Sequence, residues 1–278
     1  MKKMRATKRR KLVQAPIHDG VLNECRYPRK GLKMEAASSY IPKDNEEKPL
    51  GEDACFICEE TQTIGVADGV GSWGKKGIDA GEYARELMNN ASFSVLEQAE
   101  EEGSVSPLQV LHEAYWMTKA KGSSTACIVT LQEDFLHAVN IGDSGFLVIK
   151  KGKVVFQSPA MQKRFNCPYQ LGNERDTPDS AQEFKVDVEH DDVLVVGTDG
   201  LFDNLFPHQI GSIVHNCVEG KLSPKMMASL IAELAWYHSL QKDRSTPYTK
   251  SAMEVGLVQE NYLGGKYDDV TVVVAKIV

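Results

Sequence analysis

Apolar stretches of strand length in this chain run directly into aspartate. Thr63–Asp68 reads TIGVAD, Val139–Asp143 reads VNIGD and Val193–Asp199 reads VLVVGTD, while Asp268 and Asp269 stand immediately before the apolar run Val270–Val274. A further acidic pair, Glu52 and Asp53, precedes the β-rich stretch Ala54–Cys58. The end of a strand holds a side chain rigidly at the edge of a sheet, and a glycine after it, as at Gly69 and Gly200, lets backbone approach a ligand closely. Carboxylates that converge in this way repel one another. Two unit charges about 4 Å apart cost roughly 4 kcal/mol at an effective dielectric of 20. Hard divalent cations with oxygen ligands, Mn2+ or Mg2+, are the natural counter-charge. One Asp-Gly pair alone is most simply a turn or a helix cap. The recurrence of the pattern leaves two readings, a metal site and a set of unrelated turn residues.

The remaining periodicity places these acids in a fold. Asp79–Glu100 has helical spacing, with Tyr83, Leu87, Val95 and Leu96 among its apolar positions. Ser106-Pro107 supplies an N-cap and a first-turn proline for a second helix through Lys121. A block of strands follows: Thr125–Leu131, Phe135–Asn140, Phe146–Lys150 and Val154–Phe156, with Lys151-Gly152 as a hairpin turn. Beyond a loop at 166–180 come strands Phe184–Val188 and Val193–Gly197, a helix opened by Ser223-Pro224, an aperiodic segment at 241–266 and a last strand, Val270–Val278. Runs of strands separated by paired helices argue for an α+β fold of two antiparallel sheets face to face, flanked by helices. Residues 1–47 mix Pro, Lys and Glu without period and read as a loosely ordered, basic lead-in to one domain over residues 48–278.

Charge narrows the partners. Residues 1–11 hold seven of the 32 Lys and Arg and no acid, so the rest carries 25 basic against 39 acidic side chains. A body of that sign repels nucleic acid, and none is expected as a partner. The basic start reads equally as a nuclear-import-like cluster, part of a plastid or mitochondrial presequence, or a solvated terminus. The longest apolar runs are of strand length, well short of the roughly 20 residues of a membrane span. Six scattered cysteines in a chain this long favour reduced thiols and an intracellular setting.

Competing motifs fail on their own residues. Gly69, Gly71 and Gly74 have the G-x-G-x-x-G spacing, but Lys-Lys-Gly-Ile follows before any helical pattern. A dinucleotide cradle would also set Asp68 against a pyrophosphate. A dehalogenase-type phosphatase needs an Asp two residues before the second Asp, where this chain has Val66 and Gly197. His112-Glu113 lacks the second zinc histidine because Trp116 takes its place. Gly142–Phe146 misses G-x-S-x-G at its last position. Cys55 and Cys58 lie three apart on a strand and point to opposite faces, as packing thiols do.

Taken together, GEDA, VADGVG, GSSTA, NIGDSG, VVGTDGLFDN and GGKYDDVTVVV resemble, in order, the metal-dependent Ser/Thr protein phosphatases of type 2C, the PPM family. The stretch KRFNCPYQLG resembles the branch with an FNxPxQL-like loop. The resemblance implies a four-layer α-β-β-α sandwich with two Mn2+ or Mg2+ ions at one end. It implies that Asp68 bridges both ions and the Gly69 carbonyl binds one, and that Asp199 and Asp268 complete the other. By the same resemblance Glu52 and Asp53 would act directly or through water, and Asp143 with Asp203 would match a weaker third position. Asp68, Asp199 and Asp268 would carry catalysis by a metal-bridging water on a phosphoserine or phosphothreonine protein, the chain acting as a monomer. Two departures stand out: Lys48 replaces a phosphate-binding Arg, and Val70 replaces a His that serves as general acid. They motivate the alternative of a low-activity or non-catalytic phosphoprotein-binding member of the fold.

Overall fold

The computed structural model describes residues 13–14, 31–46, 48–172, 175–259 and 262–278. Strands β1 (Val13–Gln14), β2 (Met34–Ile41), β3 (Asp53–Cys58) and β4 (Thr63–Asp68) come first. Helices α1 (Ala80–Glu102) and α2 (Pro107–Met117) follow, then β5 (Ser123–Ser124), β6 (Ala126–Gln132), β7 (Phe135–Ile141), β8 (Gly145–Lys150) and β9 (Lys153–Gln157). After the short strands β10 (Gln162–Arg164), β11 (Cys167–Pro168) and β12 (Leu171–Gly172) come β13 (Gln182–Asp187) and β14 (Val193–Gly197). Helices α3 (Asp199–Phe202), α4 (Pro207–Glu219), α5 (Pro224–Leu240) and α6 (Pro247–Glu254) precede the final strand, β15 (Val270–Ile277).

Among the described residues two large sheets form, ordered β1-β13-β7-β6-β4-β3 and β2-β15-β14-β8-β9, beside the two-stranded pairs β10-β11 and β12-β5. Apart from the parallel β1–β13 contact, the pairings within them are antiparallel. The central strands are apolar on both faces because both faces are covered. Leu194 and Val196 of β14 face the core between the sheets, whereas Val193 and Val195 face α4 and α5. Ile64, Val66, Cys127 and Val129 enter the same inter-sheet core, while Ala67, Ala126 and Ile128 pack under α1 and α2. Phe146, Phe156 and Phe184 join the sheets through ring contacts of 5.2 to 5.8 Å, two of the three edge-to-face. The expected four layers are present. Cys55 and Cys58 do part to opposite faces, Cys55 toward the inter-sheet core and Cys58 toward the helices.

Local chemistry sets the helix ends. The Asp79 carboxylate accepts from the Gly81 N–H to cap α1, and Ser106 and Ser223 do the same for α2 and α5, each followed by proline. Helix α2 stops at Met117, short of the expected Lys121. The Glu86 carboxylate takes the next backbone donors, Lys119 N at 3.0 Å and Ala120 N at 2.7 Å. The aperiodic 241–266 segment contains α6, and α4 adds a helix that the sequence reading did not assign. Among the described residues no helix is long and apolar enough to cross a membrane.

The larger correction concerns the lead-in. Residues 34–41, expected to be loosely ordered, form β2 and pair with all of β15, from Met34 opposite Ile277 to Ile41 opposite Val270. The sequence MEAASSYI is too polar and too small to announce itself. Its backbone satisfies the outer edge of β15, which would otherwise present unpaired donors and acceptors. Residues 1–12 and 15–30 of the expected lead-in lie outside the described residues. A chain beginning at Lys48 should therefore lose the cooperative urea unfolding of the full chain, because it removes an eight-residue ladder; an unchanged midpoint and slope would contradict this role of β2.

Candidate metal centre

The acids collect at one edge of the sandwich because each terminates a strand there. Asp53 opens β3 and Asp68 closes β4, and the two are direct partners across the antiparallel pair. Asp143 sits in the turn from β7 to β8, Asp199 follows β14 as the first residue of α3, and Asp268 and Asp269 immediately precede β15. Asp68, Asp143 and Asp199 present carboxylate oxygens that all lie within 4.8 Å of one another.

Neutral hydroxyls fix several of these acids in place. Thr198 Oγ1 donates to Asp53 Oδ2 at 2.8 Å and accepts from Thr271 N at 3.1 Å, tying β3, β14 and β15 together under the cluster. The Asp68 N–H donates to Thr125 Oγ1 at 3.1 Å, and that hydroxyl lies 2.6 Å from Ser144 Oγ. Gln162 Nε2 donates to Asp143 Oδ2 at 2.8 Å. The opposite carboxylate oxygens, Asp53 Oδ1, Asp143 Oδ1 and Asp199 Oδ1, are buried without a hydrogen-bond partner among the described residues. Orphaned buried acceptors of that kind are costly unless something fills the site. An all-oxygen donor set of carboxylates suits Mg2+ or Mn2+ rather than a soft metal. The residues fit a divalent cation.

Burial and mutual repulsion push these carboxyls toward the neutral form. Burial first, and then the Asp199 and Asp53 charges, hold Asp68 well above the usual carboxylate range. Burial and Asp269 do the same to Asp53. Asp143 is raised to about 7 by burial and by Asp199. Asp203 is raised to about 6 by burial, against the pull of the Lys266 ammonium.

Among the described residues, three lysines border the cluster. Lys266 Nζ contacts Asp199 Oδ2, lies 3.0 Å from Asp203 Oδ2 and 3.4 Å from Asp268 Oδ2. Burial works against its charge, but these three carboxylates outweigh it and hold the ammonium well above the ordinary lysine range. Lys43 Nζ lies 3.1 Å from Asp268 Oδ1, and Lys48 Nζ 2.6 Å from Glu52 Oε1. Asp269 acts as a clamp, accepting from Tyr40 Oη at 3.1 Å, Lys43 N at 2.9 Å and Glu52 N at 3.1 Å.

Of the residues singled out from the sequence, Asp68, Asp143 and Asp199 meet directly, with Asp53 registered opposite Asp68. Asp203 and Asp268 join them through Lys266. Glu52 is held beside them by Lys48, and the Gly69 N–H donates to Glu52 O at 2.9 Å. The space that a side chain would need at Gly69 and Gly200 is filled by protein. A Cβ at Gly69 would stand 2.6 Å from the carbonyls of Ala80 and Glu52, and one at Gly200 would stand 1.9 Å from that of Asp269. These glycines permit close packing of backbone behind the acids. Tyr40, Lys43 and Lys266 were not found from the sequence. For Lys266 a signal existed, a basic residue two positions ahead of paired acids in GGKYDD.

Raised carboxyl pKa values fix a sign for stability. Asp143 at about 7 and Asp203 at about 6 bind protons in the fold at pH values where the unfolded chain, titrating near about 4, has released them. The melting temperature of the metal-free protein should therefore fall as pH rises from about 4 through 7 on account of this cluster. Saturating Mn2+ should flatten that slope. Calorimetry with chelator and with Mn2+ checks this, and a metal-free slope of opposite sign across that window would contradict it.

Comparison with known proteins converges on one group. A family model described as protein phosphatase 2C matches residues 46–235. The chain is 48% identical over 250 residues to probable protein phosphatase 2C 80 of Arabidopsis thaliana, covering 89% of this chain and 59% of that protein. It is also 48% identical over 250 residues to probable protein phosphatase 2C 55 of the same plant, covering 52% of that protein. The chain thus spans somewhat over half the length of these curated relatives. Among solved structures, the photosystem II phosphatase PBCP superposes with a TM-score of 0.81 at 31% identity, over 87% of this chain and 98% of that one. The catalytic domain of the serine threonine protein phosphatase PstP, solved with two manganese ions, shares the fold with a TM-score of 0.61 at 17% identity, over 89% of this chain and 99% of that one.

Proposed function

Since this chain belongs to the protein phosphatase 2C family, we propose that it hydrolyses phosphoserine and phosphothreonine in phosphoproteins with the aid of two Mn2+ or Mg2+ ions. The observation that carries this reading is the meeting of Asp68, Asp143 and Asp199 within 4.8 Å, with orphaned oxygens on Asp53, Asp143 and Asp199. Asp68, Asp199 and Asp268 with the Gly69 carbonyl would hold the ions, and Glu52 and Asp53 would support them directly or through water. When bound, such ions supply positive charge against the phosphoryl oxygens and a water acidic enough to attack phosphorus at neutral pH.

The chain's own residues supply placement. Thr198 holds the Asp53 carboxylate and Thr125 the Asp68 backbone, so these two acids are fixed in place before a cation arrives. Lys48, 19% exposed beside Glu52 and 4.0 Å from Asp79, offers an ammonium at the rim that attracts a phosphate as a point charge. Val70, whose N–H is spent on Ser123 O at 2.9 Å, carries no side-chain proton for the leaving alkoxide. Water or another group delivers it, and the reaction should be slow for a serine or threonine leaving group compared with an activated aryl phosphate.

The non-catalytic alternative is not favoured, because the chain belongs to the phosphatase family and Asp68, Asp143 and Asp199 converge within 4.8 Å. Purified protein with Mn2+ should release phosphate from a phosphothreonine peptide, and chelation should abolish the release. Asp199→Ala should lower kcat by about 10²- to 10³-fold, the range seen when a principal electrostatic element of a site is lost. Activity insensitive to both chelator and Asp199→Ala would overturn the assignment.

A further inference from the structure

The acidic edge is divided into two unlike halves, and Asp199 is the boundary. Its Oδ1, like Asp53 Oδ1 and Asp143 Oδ1, is buried without a hydrogen-bond partner among the described residues. Its Oδ2 is taken by Lys266, whose Nζ also serves Asp203 and Asp268. The lysine side chain is 15% exposed and does not sit there loosely. The fully buried Asn204 grips its peptide on both sides: Lys266 N donates to Asn204 Oδ1 at 2.9 Å, and Asn204 Nδ2 donates to Lys266 O at 2.8 Å. The same amide donates to Gly200 O at 2.9 Å, and the Asn204 carbonyl lies 3.1 Å from Nδ1 of the buried His238. Just before the lysine, Gly265 lies so close to the end of α5 that a Cβ there would stand 2.2 Å from His238 O. The clasp delivers one ammonium to one place.

We propose that Lys266 is a built-in cation that takes Asp203 Oδ2 and Asp199 Oδ2 in place of a third divalent ion, leaving Asp199 Oδ1 and Asp68 to the two ions of the proposed function. The argument is one of exclusion. An ammonium in contact with Asp199 Oδ2 and 3.0 Å from Asp203 Oδ2 cannot share those oxygens with a divalent ion, since like charges at such separation repel strongly and both need the same lone pairs. Asp203, the expected partner of Asp143 at a third metal position, is thereby committed to the lysine. The assignment rests on the metal-dependent reading of the cluster.

Equilibrium dialysis against Mn2+, with the bound ion counted per chain, tests it on the full-length protein. Lys266→Met, similar in length and without charge, should bind one equivalent more than the unsubstituted chain, and Lys266→Arg should not. Asp203→Asn in the unsubstituted background should leave the Mn2+ count unchanged, while the same change added to Lys266→Met should remove the extra equivalent. Should Lys266→Met fail to fold by circular dichroism, the Asp203→Asn arm decides alone. Loss of an equivalent from Asp203→Asn, or equal counts for Lys266→Met and the parent, overturns the proposal while leaving the metal reading intact. No Mn2+ bound by the unsubstituted protein overturns both.

Discussion

Mutual repulsion among buried carboxylates is the constraint around which this structure is arranged. Asp53, Asp68, Asp143, Asp199, Asp203 and Asp268 approach one another at one edge of the sandwich, and relaxation would separate them. All but Asp203, which caps the C-terminus of α3, are however fixed to a strand end or the turn beside it, and those strands are locked by an inter-sheet core that includes Val66, Phe146, Val196 and Val273. Moving one acid by an ångström would mean slipping a register or unpacking that core. Close-packed interiors do not deform that gradually. The apolar layers therefore hold the charges together, and the charges give the layers their function.

The same constraint explains which polar contacts were invested at the edge. Thr198 bonds at once to Asp53 and to the β15 backbone, so one buried hydroxyl sets the spacing of three strands beneath the cluster. Asp269 spends its carboxylate on the end of β2 and on Glu52 N, which makes it structural although its neighbour Asp268 faces the lysines. Adjacent acids on an extended chain point in opposite directions, and here the two directions correspond to two roles.

Legibility in the sequence followed burial. Strands covered on both faces, such as β8, β14 and β15, are almost wholly apolar, and the acids at their ends could be read as aimed. The Ser-Pro starts of α2 and α5 were equally plain, because a capping hydroxyl and a proline act locally. Strand β2 was not legible. It lies at a sheet edge, its residues are mostly half-buried, and its place is set by backbone pairing with β15, which leaves no mark on side-chain pattern. Tyr40 and Lys43, which reach Asp269 and Asp268 from its end, were invisible for the same reason. Lys266 lay in a stretch that was itself noticed, but a lysine in a loop is ordinarily solvated. Only the Asn204 clasp, made across 62 residues of sequence, turns it inward.

A cluster of this kind couples the fold to its ions. Carboxyls pushed above their ordinary range are destabilised when charged, and a ligand that binds the folded state alone returns stability as the logarithm of its concentration over its dissociation constant. Fixed ammonium groups change that coupling. Each internal lysine neutralises part of the repulsion regardless of ion supply, lessening the instability of the metal-free chain and also the attraction left for metal. Lys43 and Lys266 both act on Asp268, one at each carboxylate oxygen, whereas no lysine contact reaches Asp68 among the described ion pairs. The charge that remains unanswered is thus concentrated on the side of Asp68 and Asp143, and cation affinity should be concentrated there with it.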